Sequence, residues 1–192
     1  AFVRERARSL GGEVWVEGST LLVKPRSARR NGNLDLTLGS RLREFSVIAD
    51  LAGQRTTVRP QGWDVAEKSA LSAVAGDAAI AGELDGDLSG VSILASALGN
   101  RAESVVHTLP LSSAEVQAGA ESAFRAAARR FVVGRGVAET DAQLRVGAQI
   151  ELKGLGALFS GKYYVSQVRH VFDSRNGIRT EFTGERPGIS QP

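Results

Sequence analysis

The turn that most constrains this chain lies near its C-terminal end, where Ser174-Arg175-Asn176-Gly177 separates two β-rich runs, Lys162 to Phe172 and Ile178 to Thr183. Asn-Gly readily takes the left-handed backbone angles of a two-residue hairpin turn, so the flanking runs are predicted to pair antiparallel. Two more strands are expected upstream, at Phe131 to Ala138 and Ala148 to Lys153. A helix precedes them. Ser112-Ser113-Ala114-Glu115 has the spacing of a capping box, in which a serine oxygen accepts from the first turn and Glu115 reaches back. Behind it Val116, Ala120, Ala123, Phe124, Ala127 and Phe131 recur at intervals of three and four and mark one apolar face. Residues 112–192 therefore read as a helix followed by a small antiparallel sheet or barrel.

The first 63 residues give a second β-rich segment. Phe2, Val3, Arg6, Ala7 and Leu10 fit a short helix, and Gly11-Gly12 supply its stop. Glu13 to Val16 and Thr20 to Val23 flank Glu17-Gly18-Ser19 as a hairpin that ends at Pro25. Leu34, Leu36 and Leu38 alternate with Asp35 and Thr37, and further strands are expected at Glu44 to Leu51 and Gln54 to Arg59. Between the two segments, residues 64–111 are poor in periodicity. Ala66 to Ala75 suits a helix, whereas Ala75 to Asn100 contains five glycines and reads as a long, partly extended connection. Ser104 to Leu109, holding His107, suits a strand. The class expected is mostly β (α+β).

Bulk properties narrow the function. A formal charge of +3 is a weak bias, and the arginines are scattered apart from Arg26, Arg29, Arg30 and Arg125, Arg129, Arg130. Solvated surface accounts for both groups better than a nucleic-acid stripe does. Cysteine is absent, which excludes disulfides, thiol nucleophiles and thiolate-bound metals in this chain. No run approaches the roughly 20 apolar residues of a membrane span, and no signal peptide opens the sequence. Methionine is absent as well, and Ala1-Phe2-Val3-Arg4-Glu5 reads as helix interior, so a piece of a longer or processed protein is expected.

Motifs for catalysis fail one by one. Gly156 to Lys162 fits seven positions of a phosphate-binding loop, but Tyr163 stands where a magnesium-ligating Ser or Thr belongs. A β-rich run follows it, where such a loop opens into a helix. The two histidines, His107 and His170, lie in strand-like runs and suit packing or surface positions. With so few histidines and no cysteine, no recognisable zinc spacing exists. Asp85 and Asp87 are too few for a calcium loop and suit a solvated acidic turn. No catalytic, cofactor-binding or metal-binding residue is assigned, and no cofactor is expected. A binding surface for glycan or an effector, built from the arginine groups with Trp15, Trp63, Tyr163 and Tyr164, is the alternative reading.

Several strings, in order, resemble the baseplate hub family of contractile tails: phage late-control protein D, the type VI secretion spike hub and the spike proteins of extracellular injection particles. They are Phe2 to Ala7 leading through Gly12 to Leu21; Val58-Arg59-Pro60-Gln61-Gly62-Trp63-Asp64; Leu144 to Gly154 leading into Phe159 to Val165; and Val168 to Phe172 continuing to Gly177 to Phe182. The resemblance spans nearly the whole chain, with little from Ala75 to Asn100. It implies two β-barrel-like hub domains, the first (within 1–63) partial, joined through 64–111 to a second (112–192) with an inserted helix. It implies a non-enzymatic homotrimer that adapts a trimeric spike to a hexameric inner tube in a phage tail or tail-like particle. Expected partners are the inner tube protein, the spike tip, baseplate proteins and effector cargo, without nucleic acid or stable membrane insertion. The same resemblance makes Gly161, Lys162, Tyr163 and Tyr164 a turn entering a barrel strand, with Gly161 serving backbone geometry and Lys162 the surface. Asn176 and Gly177 form the hairpin turn.

Overall fold

A computed structural model describes residues 1–29, 32–64, 67–105, 112–175 and 177–191. In chain order the elements are α1 (Phe2–Ser9), β1 (Gly12–Glu17), β2 (Thr20–Pro25), β3 (Asn33–Thr37), β4 (Leu42–Ala49), β5 (Thr57–Asp64) and β6 (Ser69–Ser72). A 3-10 helix, Asp77–Glu83, precedes β7 (Leu88–Ser89), α2 (Gly90–Leu98), β8 (Ala102–Val105) and α3 (Ser113–Ala128). The chain ends with β9 (Val132–Glu139), β10 (Gln149–Lys153), α4 (Gly156–Phe159), β11 (Gly161–Asp173), β12 (Gly177–Arg186) and β13 (Gly188–Ile189). Strand outweighs helix, and the class is mostly β, as expected.

Two compact units form, and they interleave along the chain. One holds residues 1–28, 51–85 and 89–128; the other holds 29–50, 86–88 and 129–192. The contiguous segments 1–63, 64–111 and 112–192 expected from the sequence do not coincide with them. Strands β3 and β4, which lie early in the chain, pair with strands from its end, and this long-range pairing divides the N-terminal segment.

In the first unit α1 leads into the β1–β2 hairpin, registered Val14 opposite Val23 and Val16 opposite Leu21. Its turn rests on Gly18 at φ +59. Strands β6, β5 and β8 make a three-stranded sheet. Against it packs α3, whose Val116, Ala120, Phe124 and Ala128 are buried. Ala120, Phe124 and Ala128 share a core with Val58, Ala75, Ile80 and Val91. The Ser112 hydroxyl accepts from the Glu115 amide at 3.3 Å, the serine half of the expected capping box, while the Glu115 carboxylate accepts from Arg6 Nη2 at 2.7 Å. Ala123 is exposed, because the buried stripe runs through Ala120, Phe124 and Ala128 instead. The helix expected beside the C-terminal strands thus packs in the first unit.

Two expectations for the middle of the chain are corrected. Part of the helix expected at Ala66 to Ala75 is strand β6, paired with β5 as Trp63 opposite Ala70 and Gln61 opposite Ser72. Cross-strand pairing there overrides the helical preference of alanine. The connection expected from Ala75 to Asn100 contains the 3-10 helix and α2. Ser89 caps α2 by accepting from the Ser92 amide at 2.9 Å, and both serine hydroxyls donate to the Asp77 carboxylate at 3.0 Å. The strand expected at Gln54 starts at Thr57 and extends to Asp64. The strand expected through His107 is described only as Ala102–Val105, and His107 itself lies outside the described residues.

The second unit is a six-stranded sheet in the order β3-β10-β11-β12-β9-β4. Its two edges, β3 and β4, are consecutive in sequence and are joined by residues 38–41. A bridge between Leu38 and Leu42 brings them together at that end. A flat sheet of this order would hold its edges five strands apart, so the sheet must curl. Inside the curl lie Leu34, Leu36, Leu42, Val132, Ala138, Ile150, Leu152, Tyr163, Val165 and Phe182, all buried. Within this sheet, among the described residues, the β3–β10 pair is the parallel one, with Leu34 opposite Ile150 and Leu36 opposite Leu152.

Candidate functional site

The sequence expectation drew attention to the turn at Gly161, and the structure builds a buried polar node there from residues far apart in the chain. Strand β12 ends at Arg186, which is 4% exposed. Its Nε and Nη2 donate to the two oxygens of Asp87 at 2.7 and 2.6 Å. Nη1 donates to the Ser160 carbonyl at 2.9 Å, and Nη2 also donates to the Ser190 hydroxyl at 2.8 Å. The guanidinium carbon stands 5.6 Å from the centre of the Tyr163 ring. A charge so far from water is tolerated because an opposite charge and several acceptors meet it.

Gly161 shapes this node. Its φ is +132, and a β-carbon there would lie 2.9 Å from Arg186 Nη2. Lys162 points outward and is exposed. Tyr163 is buried, and its hydroxyl donates to the Phe159 carbonyl at 2.8 Å. Burial pushes the Tyr163 phenol above its ordinary value, with Arg186 pulling in the opposite direction. Tyr164 is half-buried on the following position. The would-be phosphate loop is the single helical turn α4 followed by strand β11, so no helix N-terminus faces a phosphate position. Gly177 opens β12 at φ +70; Asn176 lies outside the described residues.

A second feature of the sheet is an aromatic cover over two glycines. Phe45 on β4 stacks on Phe182 of β12 with ring centres 6.3 Å apart, and meets Tyr163 edge-on at 5.7 Å. Between the strands that carry them, β9 has no side chain at Gly134 or Gly136. A β-carbon at Gly134 would lie 2.1 Å from Phe45, and one at Gly136 would lie 2.5 Å from Phe182. Glycine is required at both positions by close approach of the rings. A groove of about 640 Å³ runs over these strands, lined by Phe45, Arg135, Gln167, Arg169, Glu181 and Phe182 among others.

The remaining candidates are dispersed. His170 is exposed, with Nδ1 2.8 Å from the Thr180 hydroxyl, which in turn lies 3.0 Å from that of Thr140. Arg26 pairs with Glu13 at 3.1 Å and Arg125 with Glu121 at 3.2 Å, which spends part of each arginine group on intramolecular contacts. Arg30 lies outside the described residues. Trp15 is half-buried and Trp63 is 54% exposed, both in the first unit. Asp87, expected in a solvated turn, is instead drawn in by Arg186. Sequence reasoning missed the Arg186–Asp87 pair, which is 99 positions apart. The glycines were open to detection: Gly134 and Gly136 share one face of a valine-rich strand, a pattern that marks close approach of another group. Among the described residues no cluster of acidic or histidine side chains is arranged to hold a metal. No helix among them is long and apolar enough to cross a membrane.

The family model for the Alg8 N-terminal domain matches residues 1–173, nearly the full length described above. The chain belongs to this family. No curated protein matches it. Among solved structures, the fold is that of the tail protein from Neisseria meningitidis, with a TM-score of 0.65 at 15% identity over 97% of this chain and 54% of that one. The 43 kDa tail protein of prophage MuSo2 from Shewanella oneidensis gives a TM-score of 0.68 at 8% identity, over 97% and 53% of the two chains. A chain of the virion of a native gene transfer agent particle gives 0.56 at 16% identity, over 94% and 37%. The Alg8 N-terminal domain chain therefore spans about half the length of the first two, and at these identities the likeness concerns the fold.

Proposed function

We propose that this Alg8 N-terminal domain chain is a structural component of a phage tail or tail-like particle, acting as a baseplate hub that adapts a trimeric spike to a hexameric inner tube. The observation that carries the reading is the fold shared over 97% of the chain with two proteins described as tail proteins, one of them from a prophage. The order of hub-like strings in the sequence supports the same assignment. A non-catalytic role fits the chemistry present. The most elaborate polar constellation, around Arg186, is closed on itself, with its donors already spent on Asp87, Ser160 and Ser190. Such a node ties chain segments together.

The work of a hub is done by interface area. Three copies, each contributing two units, would bring six units to a sixfold tube. Partners in this reading are the tube protein, the spike tip and other baseplate proteins. Light scattering over a concentration series tests it. The expected mass is that of three chains of 20.3 kDa, reached alone or as a monomer–trimer equilibrium. A 20.3 kDa species at every concentration would contradict it.

A further inference from the structure

We propose that the groove on the outward face of the curled sheet holds an extended peptide segment of a partner protein. An acidic side chain of that segment sits on Arg135 and a basic one on Glu44. Strand register builds the site. Gln167 stands opposite Thr183, Thr183 opposite Arg135, and Arg135 opposite Ser46, so the four form one row across β11, β12, β9 and β4. Directly opposed residues share a face, and Arg135 alternates along β9 with the buried Gly134 and Gly136. The row therefore lies on the side away from the Phe45 and Phe182 rings, which approach those glycines. Its members line the groove of about 640 Å³, within the roughly 300–1,000 Å³ of ordinary ligand sites.

The charges of the groove are unevenly used. Glu181 is shared between Arg169 and Arg179, each at 3.6 Å. Among the described residues, Arg135, Glu44, Ser46 and Gln167 have no side-chain hydrogen-bond or ion-pair partner. Glu44 lies two residues from Ser46 on β4, which makes it a diagonal neighbour of Arg135, and such neighbours stand about 7–8 Å apart. Side chains on one face of an extended peptide recur every two residues, about 6.6–6.8 Å. An acidic residue with a basic one two positions away thus meets both free charges at once, while Ser46 and Gln167 serve its polar groups. This complementarity selects the occupant. A nucleic acid carries a negative charge at every step, and Glu44 and Glu181 would repel it. A sugar would favour an aromatic ring to stack on, and both phenylalanine rings face the other way. The site does not depend on the trimeric hub reading.

A library of random seven-residue peptides displayed on yeast supplies the probe. Selection on the parent chain should enrich sequences that hold an acidic and a basic residue two positions apart. The double variant Arg135→Glu, Glu44→Lys alters two exposed side chains, so its circular dichroism and melting temperature should match the parent. The strongest selected peptide, made with blocked ends, should bind the parent at least about tenfold more tightly than the variant by fluorescence anisotropy. Exchanging its acidic and basic residues should reverse that preference. In nitrogen-15 spectra of the parent, amide shifts on adding the peptide should gather at Ser46, Arg135, Gln167 and Thr183. No enrichment, enriched peptides without the charge pair, equal binding by both proteins, or shifts elsewhere would each overturn the site. None of these outcomes touches the hub reading, which stands or falls on the mass.

Discussion

The Arg186 guanidinium lies fork to fork on the Asp87 carboxylate, with the two side chains only 5% and 14% exposed. The contact joins the last residue of β12 to the short segment 86–88, and both belong to the curled-sheet unit. Losing one partner strands the other charge away from water, whereas losing both removes the desolvation cost as well as the attraction. Asp87→Ala or Arg186→Ala should each destabilise the fold by about 3–5 kcal/mol. Asp87→Leu with Arg186→Met should cost less than either single change. Urea unfolding of the three variants checks the order.

The glycines under the aromatic cover should rank by how far their neighbour can yield. Phe182 is 3% exposed, while Phe45 is only half-buried. Gly136→Ala presses on the trapped ring and should cost about 1–3 kcal/mol, the usual range for overpacking. Gly134→Ala presses on Phe45, which has room to swing, and should cost less. Adding Phe45→Leu should recover stability in the Gly134 variant far more than in the Gly136 variant. A thermal-melt comparison reads this directly.

Tyr163 gives the fold a pH dependence at the alkaline end. Burial raises its folded-state pKa above the ordinary 10.0, so the folded protein holds the phenol proton where the unfolded chain has already released it. Stability from this group is complete below the ordinary value and is lost as pH rises toward the folded one. Unfolding free energy should fall above pH 10, and Tyr163→Phe should remove that component. Absorbance at 295 nm should lose the tyrosinate step of Tyr163 in the same variant.

The pseudo-phosphate loop should prove inert. Lys162 is exposed on a strand, so Lys162→Ala should change stability by no more than about 0.5 kcal/mol. Magnesium ATP should leave the melting temperature of the parent unchanged. Gly161→Ala should be far more costly, because its β-carbon would meet the Arg186 guanidinium 2.9 Å away on a backbone at φ +132.

Local patterns made much of this fold readable in advance, and tertiary contacts decided the rest. The β11–β12 hairpin, β3, β9, β10, the β1–β2 hairpin and the Ser112 cap were legible because alternation, turn residues and caps act over a few positions. β6 was not, because the alanines in and around it favour a helix until β5 offers a pairing edge. α2 was hidden among glycines, yet Ser89 caps it by accepting from the Ser92 amide, and Val91 and Leu94 are buried. The parallel pairing of β3 with β10 joins residues more than a hundred positions apart and has no local signature. Of the candidate turn, Gly161 and Tyr163 could be named from sequence alone, but their common partner Arg186 could not. Its significance comes from Asp87, which reads locally as one more acidic residue in a turn.

The central claim concerns where the protein sits and in how many copies. Electron cryomicroscopy of intact particles carrying a tagged copy of this chain measures both. The hub account predicts three copies in one ring at the spike-bearing end of the tube, directly beneath the first hexameric layer. Copies spread along the tube, six per layer, or no density at that end would contradict it.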